Sequence, residues 1–285
     1  MKTNLKPKPI KIREVWSDNL SYEFLQINSV LSKFPFVAMD TEFPGVIYRP
    51  TTGNPIADKT LVHRLGPFDH YQVLKANVDA LKIIQVGFTL SDAKGNLPDF
   101  DTDSCYIWEF NFRDFDISRD YCAPDSIELL KRQGIDFEKN KVKGIDSVQF
   151  AELLVRSRLV CNANFITWVT FHSAYDFGYL IKMLTGGMLP YQLGEFMGLV
   201  DWFFGTRVYD IKHMMKFCNS LYGGLERVAK TLDVDREVGK RHQAGSDSLL
   251  TLKTFLKIKE KFFNGDSIQK RYGGVLYGFE VRAQV

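Results

Sequence analysis

The chain has 285 residues, 45% of them apolar, 14% aromatic and 25% charged. This is a globular composition, and it excludes a disordered or fibrous chain. Lys and Arg number 37 against 34 Asp and Glu, a net charge of +3, which excludes a generic polycation that coats nucleic acid but leaves room for a local basic groove.

The first dozen residues are rich in Lys and Pro and read as a loose arm. Their polar start, without an apolar core segment, predicts no secretory signal. Trp16 to Leu31 carries Leu20, Phe24, Ile27 and Leu31 at helical spacing. Phe36 to Met39 is a strand candidate that runs into Asp40-Thr41-Glu42-Phe43-Pro44-Gly45. Residues 49 to 68, with Pro50, Gly53, Pro55, Gly66 and Pro67, read as a loop with at most a short helix. Leu81 to Leu90 and Cys105 to Phe112 are further strands around a turn at Asp92 to Pro98, so the three strands predict an antiparallel meander.

Asp125 to Gln133 and Asp146 to Arg156 read as helices. The apolar stripe of the second (Val148, Ala151, Leu154, Val155) is expected in the core. A fourth strand at Ile166 to Phe171 feeds a helix from Asp176 to Leu184, stopped at Gly186-Gly187. A helix near Tyr191 to Leu199, a strand at Arg207 to Ile211 and a helix from Gly224 to Leu232 follow. The last element is a long amphipathic helix from Gly245 to Phe262. Strands alternating with helices predict one mixed α/β domain. No run of about 18 apolar residues occurs, so no membrane span is expected. Cys105, Cys122, Cys161 and Cys218 are too far apart for a Cys-x-x-Cys pair and read as reduced thiols.

Asp40 and Glu42 stand at i and i+2 at a strand end, so period-two geometry puts both on one face. Convergent oxygen ligands suit a hard divalent cation. Taken alone, the pair is better explained as two solvated acids. Asp176 at a helix start is, read alone, better explained by the helix dipole, and Asp210 has a similar claim at the next strand. His242 and Asp247 flank Gly245 at the opening of the last helix, which places a loop histidine beside an anchored carboxylate. Brought together, four carboxylates need compensating charge. Two divalent cations would supply it, and such pairs serve in-line displacement at phosphorus.

The strings Asp40-Thr41-Glu42-Phe43-Pro44-Gly45, Phe171-His172-Ser173-Ala174-Tyr175-Asp176-Phe177-Gly178-Tyr179-Leu180 and His242-Gln243-Ala244-Gly245-Ser246-Asp247-Ser248-Leu249-Leu250 resemble the three motifs of the DEDD exonucleases. The form is that of the Pop/Caf-type poly(A) deadenylases, catalytic subunits of the Ccr–Not complex, with the His-x4-Asp spacing of the DEDDh branch. Leu74 to Asp79, Asp125 to Leu130 and Tyr209 to Lys212 also look like the family. The stretches around Gly95-Asn96-Leu97-Pro98 and Phe110 to Asp116 look most like plant members. The likeness covers residues 10 to 264.

The resemblance implies a ribonuclease-H-like fold, a mixed five-stranded sheet flanked by helices in a single domain. Residues 1–12 would be an arm, 13–264 the exonuclease domain and 265–285 a C-terminal tail. It implies Asp40, Glu42, Asp176 and Asp247 as ligands of two divalent ions, Mg or Mn, with His242 as general base. Asp210 drops out, because it matches no ligand position of the family. The implied reaction is 3′-to-5′ hydrolysis of mRNA poly(A) tails to 5′-AMP, in cytoplasm and nucleus. The implied partners are single-stranded poly(A) RNA, the Not scaffold subunit and an endonuclease-exonuclease-phosphatase-type deadenylase.

Phe43, His172 and Arg241 are expected to meet the RNA, and Lys182 is a weaker candidate for its groove. Lys230, Arg236, Lys240 and Arg241 form the basic patch nearest the site. The chain departs from the family at Ala174 for Gly, Lys75 for Arg, Glu237 where Arg is common, and Arg241 directly before the base. Arg241 favours a neutral imidazole and Glu237 opposes it. A partner-binding scaffold without turnover, and an exonuclease that trims other 3′ ends, are the competing readings; the intact carboxylate set disfavours the first.

Overall fold

The computed structural model describes residues 7–50, 65–162, 165–263 and 272–280. Its centre is a six-stranded sheet in the order β1-β4-β3-β2-β5-β6. The strands are β1 (Ile10–Val15), β2 (Phe36–Glu42), β3 (Gln85–Ser91), β4 (Cys105–Asn111), β5 (Thr167–Thr170) and β6 (Val208–Asp210). β2, β3 and β4 form the expected antiparallel meander, while β5 runs parallel to β2, β6 to β5 and β1 to β4.

The sheet therefore has one strand more than expected. Ile10, Lys11 and Ile12 belong to the extra edge strand and pair with Cys105, Tyr106 and Ile107, so these three residues are not part of a loose arm. Alternating Ile and charged residues at 10–13 suit an edge strand with one covered face. The C-terminal tail also has described structure: Val275 bridges to Tyr209, and Leu276 and Phe279 are buried in the core.

The helices on one face are α1 (Leu20–Val30), α2 (Pro67–Ala80), α5 (Ser147–Arg156), α6 (Ala174–Thr185) and α7 (Leu193–Phe204). They share a core with Val37, Met39, Phe88, Phe110 and Trp168 of the strands. On the other face α8 (Ile211–Met214), α9 (Leu225–Thr231) and α10 (Ala244–Phe262) pack on Phe36, Ala38, Ile107 and Val169. β2 thus alternates faces residue by residue, as period-two geometry requires. Two short helices, α3 (Pro124–Gln133) and α4 (Phe137–Lys143), close a third apolar cluster over Ile84 and Phe115.

Several expectations need correction. Of the predicted loop at 49 to 68, residues 51–64 lie outside the described residues. Pro67 begins the fourteen-residue helix α2, where proline's fixed φ suits a first turn. On α5 the buried face is Phe150, Ala151 and Leu154, whereas Val148 and Val155 are exposed. The expected stripe thus holds at Ala151 and Leu154 and fails at Val148 and Val155, with Phe150 completing the buried face. All four cysteines are free thiols.

Candidate active site

β2 carries the first two acids. Because Ala38 faces the α10 side, Asp40 and Glu42 face it too, while Thr41 points to the α6 side. Asp40 stands opposite Gly87 on β3. A side chain at Gly87 would collide with the backbone carbonyl of Ala244, so this glycine lets the N-terminus of α10 press onto the sheet.

α10 has no side-chain cap of its own. Two sheet residues serve instead: Glu109 Oε2 accepts the Gly245 N–H at 3.0 Å and Gln85 Oε1 accepts that of Ala244 at 3.4 Å. Two orphan donors of the first turn are thereby satisfied across the sheet. Asp247, in that turn, accepts the His242 N–H through Oδ2 at 2.8 Å. His242 itself sits at φ 59°, a left-handed conformation that non-glycine residues adopt at a cost.

These elements enclose a cleft of about 450 Å³ lined by Asp40, Glu42, Phe43, Phe171, Arg227, Arg241, His242 and Asp247. Glu42, His242 and Asp247 offer ligand atoms within 4.8 Å of one another. His242 Nδ1 is 3.9 Å from Glu42 Oε1. Asp176 comes from the opposite face of the sheet. Its Oδ1 accepts the Thr41 hydroxyl at 2.7 Å, which holds it against the strand that bears Asp40 and Glu42.

The electrostatics follow from this crowding. Burial, then the charges of Asp247, Asp176 and Glu42, push Asp40 well above the usual carboxylate range. Burial and the charges of Asp247 and Asp176 do the same to Glu42. Burial raises Asp176 to about 7 against the opposing Thr41 hydrogen bond. Burial raises Asp247 too, opposed by Arg236. His242 is pushed below its usual value by burial, with Asp247 opposing and Arg241 and Arg236 assisting. Excess buried anionic charge of this kind is the donor set of a hard divalent cation, so these residues fit the metal expected of the motifs.

The candidate RNA contacts divide. Phe43 and Arg241 line the cleft, and Phe43 also stacks on Tyr175 at 5.2 Å. His172 is absent from the lining; its ring packs edge-on against Tyr277. Lys182 is turned away from the cleft and donates to the carbonyls of Val78, Asp79 and Leu81, at the C-terminus of α2. Lys75 pairs with Asp79 within α2.

Glu237, which the sequence sets against Arg241, has a partner of its own. Its carboxylate pairs with Lys253, while Arg236 reaches Asp247, Glu226 and Ser246. Arg236 is thus the cation that pairs directly with Asp247. Sequence reasoning missed Glu109, Thr41, Gly87 and Arg227 as parts of the site, since nothing local distinguishes them from ordinary strand or helix residues.

Residues 15–154 match the family described as CAF1 family ribonuclease. The probable CCR4-associated factor 1 homolog 7 of Arabidopsis thaliana is 55% identical over 97% of this chain and 96% of its own length. The poly(A) ribonuclease pop2 of Schizosaccharomyces pombe is 45% identical over 94% of this chain and 74% of its own. Among solved structures, the Mg²⁺- and Mn²⁺-bound S. pombe Pop2p superposes with a TM-score of 0.82 at 45% identity, covering 94% of this chain and 99% of that one. Yeast CAF1 co-crystallised with the NOT1 MIF4G domain gives 0.73 at 33% identity, covering 94% and 96%. The ribonuclease-H-like architecture, a mixed sheet flanked by helices in one domain, is common to them.

Proposed function

The chain belongs to the CAF1 ribonuclease family, and from that premise we propose that it is a 3′-to-5′ exoribonuclease that shortens poly(A) tails and releases 5′-AMP. The observation that carries this reading is the cleft in which Asp40, Glu42 and Asp247 meet His242, with Asp176 tied in through Thr41. Poly(A) as substrate is supported by the name of the S. pombe relative and by the motif strings of this chain.

Asp40, Glu42, Asp176 and Asp247 would hold two divalent ions, a reading supported by the Mg²⁺ and Mn²⁺ of the S. pombe structure. Bound there, the ions would supply Lewis-acid stabilisation of the charge that develops at phosphorus. His242, kept neutral by its burial and by Arg241 and Arg236, accepts the proton of the attacking water. Water oxygen bonds to phosphorus, the bond to the 3′ oxygen of the preceding nucleotide breaks, and the terminal nucleotide leaves as a 5′-monophosphate. Phe43 flanks the terminal nucleotide, and Arg227 and Arg241 meet phosphates.

A Not-type scaffold is the proposed partner, supported by the yeast complex with the NOT1 MIF4G domain. An endonuclease-exonuclease-phosphatase-type deadenylase is proposed alongside it from the motif resemblance alone, as is residence in cytoplasm and nucleus. The test is a denaturing-gel time course on 5′-labelled RNA with a mixed-sequence body and a twenty-adenosine tail, in Mg²⁺, Mn²⁺ and EDTA. A metal-dependent ladder that pauses at the tail–body boundary supports the proposal. A ladder that runs on through the body makes the protein a general trimming exonuclease, and no ladder leaves the scaffold reading.

A further inference from the structure

Asp210, which offers no ligand to the carboxylate cluster, is fully buried and lies where three segments meet. Its Oδ1 accepts the backbone N–H of His172 at 2.8 Å and that of Lys212 at 2.9 Å. Its Oδ2 accepts the N–H of Tyr277 at 3.0 Å and that of Ser173 at 3.4 Å. A buried carboxylate with this many donors is fixed in place, and so are the donors.

Two of those donors belong to the turn that opens α6. His172 holds φ 60° there, and Ser173 precedes the helix without a side-chain cap of its own. Asp176 lies in the first turn of that helix. A strained turn persists only where its surroundings over-determine it, and here the Asp210 carboxylate does so.

The third segment is the C-terminal strap, residues 272–280. It lies along the outer edge of β6, with Gly274 N–H donating to Val208 at 2.9 Å and Val275 bridging to Tyr209. The Tyr277 ring packs edge-on against His172 at 5.1 Å, and the Lys216 ammonium lies 4.7 Å from its centre. At the strap's end Glu280 pairs with His213 and Lys216.

We propose that Asp210 is the positioning residue for Asp176, and that the docked C-terminal strap completes this positioning through the Tyr277 N–H. The strap and the metal-binding carboxylates are then coupled: a loosened strap weakens the hold on divalent cation, and bound cation tightens the strap. The inference rests on the reading of Asp176 as a metal ligand.

The test is Mn²⁺ binding to the full chain, measured by titration calorimetry without RNA, for wild type, Asp210→Asn, Tyr277→Pro and Asp176→Asn. Asp210→Asn turns an amide N–H₂ toward backbone donors. It should weaken Mn²⁺ binding about tenfold, the scale of changes beside metal ligands, with turnover recovering at saturating Mn²⁺. Tyr277→Pro removes one donor and the ring that packs on His172, leaves Asp210 in place, and should weaken binding about threefold, a fraction of that same scale. A merely structural role would lower the melting temperature and leave the affinity of the folded protein unchanged. That result for Asp210→Asn overturns the proposal; should this variant not fold, unchanged affinity in Tyr277→Pro overturns it. Unchanged binding in Asp176→Asn instead overturns the metal-ligand reading itself, so the two failures are distinguishable.

Discussion

The Glu109 carboxylate on β4 accepts the Gly245 N–H at 3.0 Å, so the helix that carries Asp247 is capped by a strand residue 136 positions earlier in the chain. Gly245 permits the approach: a side chain there would stand 3.1 Å from Glu109 Cβ. Glu109 therefore sets the axial position of Asp247 and, through the Asp247–His242 hydrogen bond, of the base. Glu109→Leu should cost about 1–3 kcal/mol of stability, the penalty of an unsatisfied buried donor. Turnover should fall by at least about tenfold with little change in KM, since a misplaced catalytic group costs rate more than binding. Glu109→Gln keeps an acceptor oxygen and should retain most activity. Denaturant unfolding and steady-state kinetics on both variants check this.

The base sets the acid limb of the pH profile. Burial, reinforced by Arg241 and Arg236 against the pull of Asp247, lowers His242 below 6.5. The neutral form is the competent one, so kcat/KM should fall only at pH values below the ordinary imidazole range. Arg241→Gln removes a neighbouring positive charge and should move that limb to higher pH. His242→Ala should slow the chemical step by about two to four decades with substrate binding retained. Single-turnover rates from pH 5 to 8 provide the check.

Metal-free protein should become less stable as pH rises. Asp176 keeps its proton in the fold up to about 7, above its ordinary 3.8, and Asp40, Glu42 and Asp247 shift in the same direction. Between those limits the folded state binds more protons than the unfolded one, so stability is lost as pH climbs from about 4 to 7. In EDTA the melting temperature should be higher at pH 5.5 than at pH 8. Mn²⁺ binds the ionised carboxylates, so its stabilisation should be larger at pH 8. Asp40→Asn should raise the EDTA melting temperature at pH 8, because it removes one repelling buried charge. Differential scanning calorimetry reads all three.

Lys182 gives a prediction of the opposite kind. Its ammonium donates to three carbonyls at the end of α2, where a cation also meets the negative end of the helix dipole. Lys182→Met should destabilise the fold by about 1–3 kcal/mol and leave the salt dependence of RNA binding unchanged. Arg241→Gln should shallow that dependence. Fluorescence anisotropy against salt concentration separates the two.

What could be read in the sequence follows from how local each signal is. Asp40 and Glu42 share a face because strands alternate, and Val37, Ala38 and Met39 announce the strand. Gly186 stops α6 as expected, at φ 66°. The alternation of Ile10, Lys11, Ile12 and Arg13 carried a strand signal that the adjoining Lys- and Pro-rich residues masked. The rest is encoded across the sheet. Gly87 matters because the register sets it opposite Asp40 and beneath Ala244. Glu109 and Gln85 cap a helix more than 130 residues away, and Arg236 rather than residue 237 meets Asp247 only because the loop before His242 folds that way. Asp210 is not among the residues that line the cleft, and the clamp proposed for it depends on the C-terminal strap, which no local pattern places beside it.

The most direct test of the central claim is a calorimetric titration of Mn²⁺ into the wild-type chain and into Asp40→Asn, at pH 8 and without RNA. The account predicts two ions per chain for wild type and the loss of at least one in Asp40→Asn, with the fold intact by circular dichroism. Absence of binding to wild type, or equal binding by the two proteins, would contradict the assignment of this carboxylate cluster as the metal centre of a nuclease.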